Sequence, residues 1–258
     1  MKTLTNENYF SLENQMMYMG VSQFKAFEKC EAAALAEVTG EYERERTTAL
    51  LVGSYVDAHF EGSLDVFKAK NPQLFKKNGE LKSEYIKAEE IIQRIERDPL
   101  FVTFLSGESQ VIMTGEIEGV PVKIKIDSYH AGKMLVDLKI MKDFQPVYVP
   151  EQGRLSWIEA WGYDLQGAVY QEIVRQNTGD KLPFYLAAAT KEKETDIDII
   201  EIPQPYLDVS LEHFKENVIR YDGIKKGLFQ PRRCEKCDYC KQTKVLTAPR
   251  SMEVLDYE

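Results

Sequence analysis

The sequence predicts a mixed α/β fold, in which a central mixed β-sheet is flanked by helices and preceded by an N-terminal helical region. Apolar residues recur at helical spacing through most of residues 1–105. They then alternate with polar residues as in β-strands from residue 109, and return to helical spacing after residue 156. The order of helices, antiparallel strands, helix, strands and helix is typical of a mixed α/β domain rather than a doubly wound one.

Three helices are expected in the N-terminal region, after an unstructured start. Ser22 is a plausible N-cap for the first, which should run to about Val38 and end at Gly40, with Cys30 on the helix. The second is expected over residues 49–60. The third is expected over residues 82–97, where isoleucines recur helically until Pro99 stops the pattern.

The middle of the chain predicts a three-stranded meander. Residues 109–117 are strand-like, Gly119 marks a turn, and Val122, Ile124 and Ile126 alternate with lysines as in a half-buried strand. A second turn precedes an apolar run whose composition suggests burial on both faces. The elements expected after this run are a helix over 156–176 with Trp157 and Trp161 on its apolar side, strands over 184–190 and 197–202, and a helix over 208–226.

Composition excludes several classes of protein. The chain has 258 residues, 43% hydrophobic and 29% charged, with 15 Gly and 10 Pro, which fits neither disorder, collagen nor a coiled coil. No apolar run approaches the roughly 18–20 residues of a membrane helix, and the N-terminus lacks the apolar segment of a signal peptide. We therefore expect a cytoplasmic protein, in which four cysteines would be free, metal-bound or catalytic rather than paired.

The charge distribution is uneven along the chain. The net charge of −9 argues against a generic nucleic-acid binder. Residues 220–250, however, contain nine basic and three acidic residues, a local balance of +6. This segment is either a solvated, charged surface tail or part of a surface that binds an anionic polymer.

Two aspartates interrupt or end hydrophobic strands, where an isolated carboxylate is costly to desolvate. Asp127 and Asp137 lie on the two strands of one predicted hairpin and can converge on one cation, for which oxygen ligands favour Mg²⁺ or Mn²⁺. Lys139 emerges on the same sheet face as Asp137 because strand side chains alternate. Such a set can support metal-assisted phosphodiester hydrolysis. The alternative is a pair of turn-capping aspartates with Lys139 extending to solvent.

The cysteines give a second signal. Cys234, Cys237 and Cys240 are spaced at intervals of three, and Cys30 lies 204 residues upstream of the first of them. Thiolates at this spacing surround one soft metal centre, either zinc or an iron–sulfur cluster. The alternative is three reduced surface thiols, with Cys30 buried as a small hydrophobic residue.

These motifs together resemble the PD-(D/E)XK nuclease superfamily. Asp127, then Asp137-Leu138-Lys139, then a helix with Gln166-x-x-x-Tyr170 is similar to the branch containing the RecB and AddB nuclease domains, lambda exonuclease and RecE-type phage exonucleases. Within this branch the chain resembles the RecE-like exodeoxyribonuclease eight, PDDEXK-like family of phages and prophages. The resemblance covers nearly the whole chain, including the segments at 22–25 and 53–57. A proline and aspartate of the family's nominal motif are absent, since Ile126 precedes Asp127.

The resemblance implies a fold and a set of roles. It implies one nuclease domain over residues 1–258, with a restriction-endonuclease-like core over 106–230 and a cysteine-containing segment over 231–258. Asp127, Asp137 and Lys139 would be the catalytic acids and lysine, and the Leu138 carbonyl a further metal ligand. The other implied site residues are Gln166 and Tyr170, holding the DNA backbone, Asp57 as a metal ligand, and Glu61 and His59 as further candidates.

The cysteines have a counterpart in the same resemblance. One N-terminal cysteine with a C-terminal trio is similar to the iron–sulfur staple of the AddB nuclease domain and of CRISPR-associated four-cysteine exonucleases. A four-iron four-sulfur cluster held by Cys30, Cys234, Cys237 and Cys240 is therefore implied. Zinc is less expected, because zinc knuckles usually come as two paired CxxC turns. The basic residues around these cysteines would then lie near the DNA.

The function implied is a Mg²⁺- or Mn²⁺-dependent exodeoxyribonuclease. It would degrade linear double-stranded DNA from its ends and leave single strands for a single-strand annealing recombinase, in phage-type homologous recombination. The main alternative is a catalytically inactive nuclease-fold protein that binds DNA or assists recombination. An iron–sulfur or zinc redox sensor and a recombination scaffold are two further alternatives.

Overall fold

The computed structural model describes residues 4–249. Its N-terminal part is helical, as predicted, and the predicted helices over 49–60 and 82–97 are present within a few residues. The helices before the first strand are α1 (Leu12–Met17), α2 (Val21–Lys29), α3 (Glu31–Thr39), α4 (Thr48–Phe60), α5 (Leu64–Lys70), a 3₁₀ turn (Pro72–Leu74), α6 (Ser83–Glu96) and α7 (Pro99–Leu105). The start of the chain, predicted as unstructured, contains α1 in its described part.

The first predicted helix is wrong in two respects. The N-cap is Gly20 rather than Ser22, because the backbone of Met19 pairs with a strand and holds the chain extended up to that point. The helix also breaks at Cys30, whose extended backbone (φ −166°, ψ 106°) separates α2 from α3. The predicted end is confirmed, since Gly40 closes α3 in the left-handed region at φ 80°.

The meander and the later strands agree with the sequence prediction. The remaining elements are β1 (Glu108–Ile117), β2 (Val120–His130), β3 (Met134–Met141), β4 (Val147–Val149), β5 (Gly153–Leu155), α8 (Trp157–Ala160), α9 (Tyr163–Thr178), β6 (Phe184–Thr190), β7 (Ile197–Glu201), α10 (Gln204–Lys225) and α11 (Asp238–Gln242). The short strands β4 and β5 and the helix α11 were not predicted.

The predicted helix over 156–176 is two helices. A capping box between Ser156 and Glu159 starts α8, which ends after one turn. Gly162 then takes a left-handed conformation (φ 61°) and starts α9 in a new direction. Trp161 lies at this break and is 49% exposed, so its assignment to the apolar side was wrong.

The central sheet is mixed, which confirms the predicted fold class. Its strand order is β1-β2-β3-β6-β7, with β3 and β6 parallel and the other neighbours antiparallel. Strands β4 and β5 form a separate two-stranded hairpin. None of the helices in residues 4–249 is long and apolar enough to cross a membrane.

The two faces of the sheet bury two different cores. Leu135 and Leu186 lie in the first core with residues of α2, α9 and α10, whereas Val136 and Ala187 lie in the second with residues of α4 and α6. Because strand side chains alternate, Asp137 lies on the same face of β3 as Leu135 and therefore faces α9. The layers thus place two polar residues of β3, Asp137 and Lys139, on the face that meets the first core.

Candidate active site and metal centre

The candidate active site lies where two strands of the sheet separate. Strands β2 and β3 pair only from Ser128 opposite Val136 to their turn. Beyond this point the backbone of Met19 takes the place of β3 beside β2. Met19 N donates a hydrogen bond to Pro121 O (2.8 Å), and Met19 O accepts one from Lys123 N (3.0 Å). Asp127 and Asp137 are the first residues beyond the last paired positions, at the fork between the strands.

The side chain of Asp127 bridges the fork. Its Oδ2 accepts a hydrogen bond from the backbone N–H of Leu138 on β3 (3.0 Å), where a ladder bond would otherwise lie. Its Oδ1 accepts from Gln110 Nε2 (3.2 Å). Gln110 has a positive φ of 57°, which is rare for a residue other than glycine and turns its side chain from β1 into the cleft.

Asp137 is buried, with 2% exposure, and is held from two sides. The Lys139 ammonium forms an ion pair with its Oδ2. Gln166 on α9 donates a hydrogen bond from Nε2 to its Oδ1 (2.6 Å). The predicted proximity of Asp137 and Lys139 on one sheet face is therefore present, and Gln166 reaches the carboxylate directly.

Asp57 reaches the same cleft from α4. The cleft has a volume of about 410 Å³ and is lined by Asp57, Asp127, Asp137 and Lys139, with Leu138 and Gln166 beside them. Glu61, one turn after Asp57, also lines it. His59 instead pairs with Glu96 through Nε2 and Oε1 (2.8 Å), so the structure gives it another partner.

The carboxylates perturb one another because they share a buried cleft. Burial, and then the Asp127 carboxylate, raise the pKa of Asp57 well above its usual value. Burial and the Asp137 carboxylate raise the pKa of Asp127 to about 7. Burial alone would lower the pKa of Lys139, but Asp137 and Asp127 outweigh it and raise this pKa. Lys139 is therefore an ammonium at neutral pH.

The donor set fits a hard divalent cation. Three carboxylates face one cleft, and the Lys139 ammonium pairs with one of them, Asp137. Gln110 Oε1 is buried without a hydrogen-bond partner among residues 4–249, so it can accept from a water bound to a cation. Oxygen ligands of this kind suit Mg²⁺ or Mn²⁺.

Tyr170 lies one helical turn beyond Gln166 but faces the backbone of β2. Its hydroxyl donates to the carbonyl of Lys125 (2.9 Å), and burial, as the largest cause, raises its pKa well above the usual value. The hydroxyl therefore stays protonated. In this structure Tyr170 holds the strand that carries Asp127, while Gln166 holds Asp137.

The four cysteines come together at one point. All four sulfur atoms lie within 4.8 Å of one another, with Sγ–Sγ distances of 3.6 Å for Cys30–Cys240 and 3.9 Å for Cys234–Cys240. A tetrahedral ion with metal–sulfur bonds of about 2.3 Å holds its sulfur atoms about 3.8 Å apart. Among the described residues, this quartet is the group of His, Cys, Asp or Glu side chains close enough to bind one ion in this way.

The thiol of Cys234 has a lowered pKa, which favours metal binding. Burial raises the pKa of Cys234, but hydrogen bonds from the backbone N–H groups of Lys236 and Cys237 outweigh it and lower the pKa to about 6. Burial and then the neighbouring thiols raise the pKa of Cys237, so the quartet favours one thiolate, the metal-ligating form, at Cys234. Together with the sulfur spacing, this indicates a site that could bind a metal.

The Glu31 carboxylate, next to Cys30 in the chain, forms hydrogen bonds with residues of the C-terminal part. Glu31 is 7% exposed and accepts two hydrogen bonds from the Arg220 guanidinium (2.7 and 2.8 Å) and one from the backbone N–H of Arg232 (2.7 Å). The carbonyl of Arg232 in turn accepts from Ala32 N (3.0 Å). Glu31 was not predicted, since nothing in its sequence neighbourhood points to partners so far along the chain.

Much of the basic segment has partners inside the protein. Besides Arg220, the Lys225 ammonium is buried and donates to Tyr18 O (2.9 Å), Lys226 pairs with Asp222 (2.5 Å), and Arg233 donates to Cys240 O (2.7 Å). Arg250 lies outside the described residues. The local excess of positive charge therefore stabilises the C-terminal packing in part, which the sequence analysis did not anticipate.

The mixed sheet with its flanking helices matches a PDDEXK nuclease-like fold. The family model of a PDDEXK-like domain of unknown function (DUF3799) matches residues 20–243, and the chain belongs to this family. A crystal structure from Eubacterium rectale, described as that of a "putative exonuclease", is 49% identical, with a TM-score of 0.96 and 99% of each chain covered. None of the curated proteins compared with the chain matches it.

Proposed function

We propose that this protein is a Mg²⁺- or Mn²⁺-dependent exodeoxyribonuclease that hydrolyses linear double-stranded DNA from its ends. The observation that carries the proposal is the fork, where Asp127, Asp137 and the protonated Lys139 face one cleft. The description of the Eubacterium rectale protein as a "putative exonuclease" supports the preference for ends. A RecE-like role in phage-type recombination, with a single-strand annealing recombinase as partner, is part of the same proposal.

The proposed mechanism assigns a separate role to each residue of the cleft. Asp57, Asp127, Asp137 and the Leu138 carbonyl would hold the cation, which polarises the scissile phosphate and activates water when bound. Lys139, whose ammonium pairs with Asp137, would orient the attacking water and offset the negative charge that develops on the phosphate. Gln166 keeps the Asp137 carboxylate in position through its hydrogen bond.

The test is hydrolysis of linear and covalently closed duplex DNA with Mg²⁺ or with EDTA. We expect Mg²⁺-dependent degradation of the linear form only, and its loss in Asp137→Asn. Asp198→Asn is the matched control, since Asp198 is an exposed acid on β7. Equal cutting of the closed form would contradict an exonuclease. Mg²⁺-independent DNA binding without hydrolysis would instead support the inactive accessory protein.

We further propose that Cys30, Cys234, Cys237 and Cys240 bind a structural metal centre. The sulfur spacing favours one tetrahedral ion such as zinc, whereas a four-iron four-sulfur cluster would need the sulfur atoms farther apart, because irons and sulfides lie between them. The sequence pattern of one N-terminal cysteine and a C-terminal trio instead favours the iron–sulfur cluster, because it resembles proteins that hold one. Metal analysis and visible absorption of anaerobically purified protein distinguish these centres, and metal-free protein with four reactive thiols would contradict both.

A further inference from the structure

The ammonium of Lys139 has one ion-pair partner among residues 4–249, the carboxylate of Asp137. The lysine side chain is a flexible stem of four carbons, which this ion pair holds at its end only. The proposed function gives Asp137 a divalent cation as well, and two cations at one carboxylate repel each other. The ion pair alone therefore does not fix Lys139 when the cation is bound.

The aromatic ring of Tyr163 gives the Lys139 ammonium a second contact. Lys139 Nζ lies over this ring, 5.1 Å from its centroid, and a ring face attracts a cation within about 6 Å. The attraction arises from the quadrupole of the ring, so it does not depend on the charge of Asp137. Burial, as the largest cause, raises the pKa of Tyr163, so its hydroxyl stays protonated and the ring is a neutral aromatic.

The ring of Tyr163 is itself held in place by its neighbours. Tyr163 is the first residue of α9, directly after the left-handed Gly162. Its hydroxyl donates to the sulfur of Met141 (3.4 Å), which follows Lys139 by two residues on β3 and therefore lies on the same face of the strand. The ring of Trp157 meets it edge to face, with the centroids 5.8 Å apart. These contacts hold the ring over the part of β3 that carries Lys139.

A second lysine, Lys25 of α2, lies against the same ring. Its ammonium is 5.4 Å from the ring centroid and donates to the carbonyls of Trp161 (3.0 Å) and Gly162 (3.5 Å). These hydrogen bonds fix Lys25 at the break that precedes α9. Because Lys25 and Lys139 carry like charges, Lys25 disfavours any movement of Lys139 away from Asp137 toward α2.

We propose that Tyr163 is a positioning residue for Lys139. The face of its ring holds the ammonium beside Asp137, at the point from which Lys139 acts on the attacking water. The proposal rests on the proposed function for the role of Lys139, and it adds a residue to which that function assigns no part. Tyr163 does not line the cleft that contains Asp127 and Asp137, so its effect on hydrolysis passes through Lys139.

The first measurement tests the contact without any reaction. In metal-free protein labelled with ¹³C at the lysine Cε atoms, the NMR signal that is missing from Lys139→Gln belongs to Lys139. Protons over an aromatic face resonate upfield, so we expect an upfield signal in the wild type that Tyr163→Phe keeps and Tyr163→Leu loses. Tyr206→Leu is the matched control, since it removes an exposed tyrosine of α10 that does not line this cleft, and it should leave the signal unchanged.

The second measurement separates the electrostatic effect of the ring from its packing. Tyr163→Leu should lower kcat for hydrolysis of linear duplex about 2- to 30-fold per folded molecule, the equivalent of one cation–π interaction, with KM unchanged. Tyr163→Phe should keep most of the rate. Phenylalanines with increasing numbers of fluorine atoms, placed at position 163, keep the shape of the ring while they weaken its negative face. The value of kcat should therefore fall stepwise along this series.

Three results would overturn the role of Tyr163: a Lys139 signal that is the same in Tyr163→Leu and the wild type, equal rates along the fluorinated series, or equal losses in Tyr163→Phe and Tyr163→Leu. The last result would assign the effect to the hydroxyl and Met141 instead of the ring face. Hydrolysis that is independent of the ring rejects the positioning role and keeps the nuclease. A ring-dependent Lys139 signal in a protein that never hydrolyses DNA rejects the nuclease and keeps the positioning of Lys139 by Tyr163.

Discussion

Gln110 shows how one residue of the site depends on its backbone. Its positive φ directs the amide toward Asp127, and its Oε1 remains buried without a described partner. We predict that Gln110→Ala lowers Mg²⁺ affinity or hydrolysis about 10- to 100-fold, as is usual when a group that orients a metal ligand is lost. Initial rates of linear-duplex degradation across a Mg²⁺ titration measure the effect.

The control for this prediction is Gln230→Ala, since Gln230 is exposed and does not line the cleft that contains Asp127 and Asp137. Its rate and Mg²⁺ dependence should match those of the wild type. A Gln110→Ala protein that is equally active at every Mg²⁺ concentration would show that the hydrogen bond to Asp127 has no part in the reaction.

Asp127 gives a prediction about pH. Its folded pKa of about 7 exceeds the ordinary value of about 3.9, so the folded state binds the proton more tightly than the unfolded state. The stability that this proton contributes is present below about pH 4 and is lost as pH rises through 7. In magnesium-free buffer Asp127→Asn should therefore melt above the wild type at pH 8, and this difference should shrink toward pH 5.

Thermal melts followed by circular dichroism measure this difference. Mg²⁺ should raise the melting temperature of the wild type at pH 8 more than that of Asp127→Asn, because the cation replaces the proton between the carboxylates. A difference between the two proteins that is independent of pH would show that the Asp127 carboxylate is already compensated in the metal-free protein.

At the scale of elements, the break between α8 and α9 depends on one glycine. Gly162 has a φ of 61°, and a Cβ there would lie 3.1 Å from Lys25 Cδ. Gly162→Ala should cost about 1–2 kcal/mol of unfolding free energy, because a side chain disfavours this conformation. Gly53→Ala in α4 should instead stabilise by about 0.5–1 kcal/mol, since a Cβ there meets nothing within 4 Å. Urea unfolding of both variants checks the opposite signs.

The same break shows which elements the sequence could predict. The alternation of Val122, Ile124 and Ile126 with lysines predicted a strand that is present as β2, because alternation with a period of two is a local property of the chain. The breaks at Cys30 and Gly162 were missed because apolar spacing continues across them. The reason for each break lies elsewhere in the fold: Cys30 contacts Cys240, and the carbonyl of Trp161 accepts a hydrogen bond from Lys25.

The residues of the candidate sites also fall into those that the sequence could predict and those that it could not. Asp127, Asp137 and Lys139 could be identified because carboxylates within apolar strands are unusual, and a resemblance added Asp57 and Gln166. Gln110 and Glu31 could not be identified, because their partners lie 17 and 189 residues away along the chain. Neither residue type is unusual in its own local pattern, so their positions became apparent only once the fold brought these partners together.

At the scale of the whole molecule, the cysteines and Glu31 join the two ends of the described chain. Helix α3 follows Cys30, and α11 contains Cys240, so the quartet closes a loop that contains the whole sheet. A metal bound by the quartet would hold these two ends together in the folded protein and would add its binding energy to the stability of the fold. Its centre is separate from the fork, since none of the four cysteines lines the cleft that contains Asp127 and Asp137.

We therefore predict that Cys240→Ala lowers stability without removing the chemistry. The variant should lose its metal and melt at a clearly lower temperature, because a structural metal contributes its binding energy to folding. Below that temperature its rate of DNA hydrolysis per folded molecule should equal that of the wild type. Glu31→Gln is the matched comparison, since it removes the charged acceptor of Arg220 and leaves the four sulfur atoms in place. It should lower the melting temperature while metal content stays constant. If Cys240→Ala instead lost hydrolysis with an unchanged melting temperature, the quartet would belong to the reaction and not to the fold.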